Sequence, residues 1–81
     1  MGFASDITDD EAALGFEATE HVECGHVVVA RIRSGLFAVK VLDDGSVRYA
    51  ICDETMVMLY EPARSLVDLQ DRFGLRDRRA G

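Results

Sequence analysis

The sequence predicts an α+β fold: a short N-terminal helix, a four-stranded antiparallel meander forming a curled sheet or a small barrel, and a C-terminal amphipathic helix packed on the sheet. Three observations point there. Apolar and polar residues alternate through much of residues 27–52, interrupted by two glycine-containing turns. An apolar stripe at three- and four-residue spacing follows Pro62. The chain has 81 residues, which suits a single small domain, 1–81, with one modest core.

Residues 1–7 are expected to fray. Thr8-Asp9-Asp10-Glu11 then has the pattern of a capping box, with Thr8 as N-cap and Glu11 reaching back to it. Ala12, Ala13 and Leu14 favour helix, and Gly15 keeps it short. A strand can begin as early as Phe16, with Phe16, Ala18, Val22 and Cys24 on one face and Glu17, Thr19, His21 and Glu23 on the other; Glu20 breaks the pattern. Val27–Arg33 is β-branched and apolar, Ser34-Gly35 turns the chain, and Leu36–Leu42 alternates with Phe37, Val39 and Val41 on one side. Asp44-Gly45 is a strong hairpin signal, because a type I′ turn needs positive φ at both central residues. Val47, Tyr49 and Ile51 share one face of the next strand, and the apolar run Met56–Tyr60 reads as a strand covered on both faces. Pro62 is expected to end any strand and to enter the first turn of a helix. There Ala63, Leu66, Leu69 (or Gln70) and Phe73 form the stripe, with Val67 beside them, and Gly74 is placed for a C-terminal cap. Residues 75–81 are expected to fray.

Charge narrows the function classes. Fifteen acids against nine bases give a net charge of −6, which argues against a nucleic-acid backbone or an anionic membrane as direct partner. Seven acids (Asp6, Asp9, Asp10, Glu11, Glu17, Glu20, Glu23) and no base lie in residues 1–24. This segment is a candidate partner-binding face. The apolar runs Val27–Ala30 and Met56–Tyr60 are too short to span a membrane, and the N-terminus carries neither a secretory nor a myristoylation pattern, so a cytoplasmic protein is expected.

Catalytic and metal chemistry finds little support. His21, Cys24, His26 and Cys52 can in principle form a zinc set, but His-x₂-Cys-x-His with one distant cysteine lacks the paired knuckle spacing. Cys24 with His26 offers a thiolate–imidazole pair without an oxyanion hole. Buried thiols and strand histidines are the simpler expectation, with no enzyme activity, no metal and no cofactor.

One family resemblance emerges. Gly25-His26-Val27, Ala30, Gly35-Leu36-Phe37-Ala38-Val39, Asp44-Gly45-Ser46-Val47 and Ala50-Ile51 resemble the first three strands of the bacterial translation initiation factor one family, over about residues 25–51 and with one inserted residue between Phe37 and Asp44. The resemblance implies an OB-fold barrel, and so a small barrel or curled sheet. It stops at Asp53-Glu54, where that family carries a basic ribosome-facing segment, so ribosome binding is not implied.

The leading functional expectation is a small acidic protein-binding module, an inhibitor or regulator that engages a basic surface of a partner. That surface can itself be a nucleic-acid-binding one, with the acids in the place of phosphates; by size and charge some phage-encoded anti-CRISPR proteins are analogous. A second expectation is an OB-like nucleic-acid-binding module using Arg31, Arg33, Lys40 and Arg48, with Phe37 or Tyr49 as stacking platforms. The third is a homo-oligomeric structural protein, a homodimer for example, joined by a sheet edge or by Leu66, Leu69 and Phe73.

Overall fold

The computed structural model describes residues 2–3, 6–23 and 25–80. Its elements are β1 (Gly2–Phe3), α1 (Asp9–Ala13), β2 (Glu17–His21), β3 (Gly25–Arg33), β4 (Leu36–Asp43), β5 (Ser46–Cys52), β6 (Met58–Ala63) and α2 (Leu66–Phe73), followed by a 3₁₀ turn at Arg78–Ala80. All strand pairs are antiparallel, and the order is β2-β3-β4-β5-β6. β1 lies off this path, pairing Gly2 with Leu42 and Phe3 with Val41 beyond the last β3 partner of β4, Val29 with Val39.

The α+β class stands, but the meander has five strands rather than four and does not close, so the barrel alternative is not realised. The added strand is β2, the segment after Phe16. Glu20 obscured it because β2 is an edge strand exposed on both faces, where strict alternation is not required.

Local signals explain most turns. Asp44 and Gly45 have φ of 52° and 80°, the left-handed pair a type I′ turn needs, and Asp43 lies opposite Ser46. At Ser34-Gly35 the β3–β4 register shifts between Arg31 and Arg33. The capping box forms as its sequence suggests: Glu11 N donates to Thr8 Oγ1 at 3.2 Å, and Thr8 N donates to Glu11 Oε1 at 2.9 Å. Gly74 closes α2 at φ 68°, donating to Gln70 O.

The expectation for Met56–Tyr60 and Pro62 is corrected. β6 runs from Met58 to Ala63 and contains Pro62, and Val57, Met58, Leu59 and Tyr60 are about half exposed instead of covered on both faces. The reason is position: β6 is the last strand of the sheet, and an edge strand tolerates a proline that cannot donate to a neighbour. α2 starts later, behind the Ser65 cap, whose hydroxyl accepts from Asp68 N at 3.1 Å.

Both faces of the central strands are buried. On one, Val28, Ala30, Leu36, Ala38, Tyr49 and Ile51 pack with Leu14, Phe16, Ala63 and Leu69, flanked by half-buried Leu66, Phe73 and Leu75. The stripe of α2 is therefore the lid of this core. Leu69 has no exposed surface and is not available to a second copy, while Leu66 and Phe73 are half-buried against the same cluster. On the other face, Val27, Val39, Val41, Ala50 and Cys52 form a second cluster with Val29 and Met56 against it. β1 pairs with β4, Leu75 joins the core, and Arg79 Nη2 reaches Asp10 at 2.8 Å.

Candidate functional site

The seven acids of residues 1–24 do not form one surface. Glu11 is 2% exposed and sits under the sheet's helical side, so it drops out of any partner-binding face. Its Oε1 accepts from Lys40 Nζ at 2.8 Å and its Oε2 from the Tyr49 hydroxyl at 2.6 Å. Lys40 Nζ also donates to Asp6 O at 2.8 Å. Burial pushes the Glu11 carboxyl upward, but the bonds from Lys40, Tyr49 and Thr8, with the Lys40 charge, outweigh it and leave the group below its ordinary value. Burial and the negative partner together push the Tyr49 phenol far up, so it stays protonated. Asp10 is taken by Arg79. Asp6, Asp9 and Glu23 are exposed.

Glu17 and Glu20 are brought together with two acids from the far side of the sheet. A groove of about 280 Å³ is lined by Glu17, Thr19, Glu20 and His21 of β2, by Val27, Val29 and Phe37, and by Asp53, Glu54 and Met56 of the β5–β6 loop. The register explains the β2 wall: Glu17 and Thr19 lie opposite Val29 and Val27, so their side chains share the face of the second apolar cluster. The opposite wall is locked by Asp53, whose Oδ1 accepts from Thr55 N (2.9 Å), Thr55 Oγ1 (2.7 Å) and Val57 N (3.1 Å). The Thr55 hydroxyl, then the Val57 amide, hold the Asp53 carboxyl below its usual range. Met56 has φ 68°, an uncommon conformation for a non-glycine residue, and its side chain is half-buried against the second cluster. The result is an apolar floor with four acidic residues and no lysine or arginine in its lining.

The other expected sites are scattered. His21 lines the groove, with its Nδ1 accepting from Glu23 N at 3.3 Å, whereas His26 lies opposite Glu20 and so turns to the other face of the sheet. Cys52 is buried in the second cluster, and Cys24 lies outside the described residues. Among the described residues no group of three His, Cys, Asp or Glu is placed to hold a metal ion. Of the basic set, Arg31 and Arg33 are exposed and Arg48 half-buried, but Lys40 is buried at 5% exposure. Tyr49 is also buried, 5.3 Å from the Phe16 ring centroid, and offers no platform for a base; Phe37 is half-buried in the groove floor. Among the described residues no helix is long and apolar enough to cross a membrane.

Sequence reasoning missed Asp53, Glu54 and Met56 as site residues. Asp53-Glu54 stood out only as the place where the family resemblance stops and Met56 only as the start of an apolar run, and only the curl of the sheet brings them across from β2. Comparisons with protein families, with curated proteins and with solved structures return no match to this chain.

Proposed function

We propose that this chain is a protein-binding module that takes a cationic segment of a partner protein into the groove between β2 and the β5–β6 loop. The observation that carries this reading is the lining itself: Val27, Val29, Phe37 and Met56 as floor, Glu17, Asp53 and Glu54 around them, Glu20 at the β2 rim with its side chain on the other face of that strand, and no lysine or arginine. Arginine and lysine side chains match both features, laying an aliphatic stem on apolar surface and presenting a charged head to carboxylates. A groove lined with one sign of charge over low-dielectric walls also speeds encounter with the opposite charge. A partner that normally binds nucleic acid is the natural target. The groove acids then stand in for phosphates, the mode of inhibition or regulation that small anti-CRISPR-type proteins exemplify, in a cytoplasmic setting.

The test is a titration with a short arginine–valine alternating peptide at low and high salt. Binding should weaken as salt rises and collapse in Glu17→Lys/Glu20→Lys/Glu54→Lys, but survive in Asp9→Lys/Glu23→Lys, whose positions lie outside the groove. Affinity that ignores salt, or that falls equally in both variants, would sink the reading.

A further inference from the structure

We infer that the partner segment joins the sheet as an added strand along the free edge of β2, and this rests on the groove reading above. The two edges of the sheet are built differently. β6 is guarded: Pro62 interrupts its donors, its register against β5 shifts twice, and Arg72 Nη1 occupies the Glu61 carbonyl at 2.9 Å. β2 carries none of these devices. Glu17-Ala18-Thr19-Glu20-His21 contains no proline, glycine or lysine, pairs with β3 in unbroken register, and among the described residues pairs with no other strand. A regular edge, with no proline or register break and guarded only by the charge of its glutamates, is a template for one more strand of opposite charge.

Charge decides which strand. Two copies of β2 side by side would line the glutamates of both along one seam, on a chain that already carries −6. A basic extended segment reverses that sign. Glu17 lies on the groove face, opposite Val29, and Glu20 on the other face, opposite His26, so an added strand meets an acid on each of its faces. With side chains alternating at a period of two, every second residue of that strand turns over the groove. Backbone pairing then supplies affinity that tolerates sequence change, and the acids select for positive charge.

The experiment compares three peptides: the arginine–valine peptide and two versions of it, each N-methylated at every second residue so that one or the other backbone edge is blocked. Charge and side chains stay the same in all three. One methylated version should bind about tenfold more weakly than the parent, from the loss of two or so backbone hydrogen bonds. The other should bind like the parent, and the β2 amides should gain hydrogen-exchange protection in its complex. If both versions bind like the parent, strand addition is overturned and the groove reading stands. Protection at Met58–Tyr60 in place of β2 also overturns it. If the parent peptide does not bind even at low salt, both the inference and the groove reading fall together.

Discussion

Glu11 and Lys40 lie 29 residues apart in sequence and meet in the core at 2.8 Å. Lys40 is the only lysine in the chain and follows the apolar run Leu36–Val39, yet the sequence reading offered it as a base of a nucleic-acid-binding surface; Glu11 hid among six other acids. Two roles converge on Glu11, closing the capping box of α1 and neutralising Lys40. Removing one partner leaves an uncompensated buried charge, so Lys40→Ala is expected to cost about 3–5 kcal/mol in chemical denaturation. That is a large share of a small domain's stability. Glu11→Leu/Lys40→Met, which removes both charges, should cost clearly less than either charge-stranding single change. The pH dependence follows from the same group. The Glu11 carboxyl lies below its ordinary 4.5 when folded, so its contribution is complete above about pH 4.5 and is lost as pH falls through the lowered folded value. Glu11→Gln should flatten the acid limb of a stability–pH curve. Tyr49 works in the opposite sense. Its raised folded value gives stability that is full below its ordinary 10.0 and drains away at higher pH, an alkaline limb that Tyr49→Phe should remove.

At the scale of elements, what was legible is what is decided locally. The Thr8 capping box, the Asp44-Gly45 turn and the Gly74 cap each depend on a few adjacent residues, and each forms where the sequence placed it. The start of α2 was misplaced because Pro62 suits two settings, helix entry and edge strand, and only the strand order chooses between them. The true start is marked by Ser65, with its hydroxyl on Asp68 N and the Asp68 carboxylate accepting from Arg64 N at 3.1 Å. Ser65→Ala should therefore cost about 1 kcal/mol, measured by thermal or urea unfolding, whereas Ser65→Asp should cost little. A proline-initiated α2 would leave Ser65→Ala silent. Since Leu69 at the centre of α2 is fully buried against the sheet, loosening the cap should also speed hydrogen exchange beneath the helix.

At the scale of the whole molecule, the groove belongs to neither end of the sequence. Glu17 and Glu20 come from β2, Asp53 and Glu54 from a loop more than thirty residues later, and a meander that curls is needed to face them. No local pattern contains that information, so sequence reasoning singled out Glu17 and Glu20 and missed the floor and far wall of the groove. The arrangement also carries a cost. Four acidic residues line one small concavity with no cation among them, so the folded state gathers like charges that the unfolded chain keeps apart. Binding and stability should then respond in opposite directions to the same change. Glu17→Gln/Glu20→Gln/Glu54→Gln is expected to raise the melting temperature by a few degrees at low salt while it weakens binding of the arginine–valine peptide. Asp53 is left intact in that variant because its carboxylate holds the loop through Thr55 and Val57. Added salt should reproduce the stabilisation in the parent protein and have little further effect in the variant, since screening and neutralisation relieve the same repulsion. A variant that loses stability along with binding would mean that these carboxylates support the fold, and a groove kept electrostatically tense for a cationic partner would no longer describe this surface.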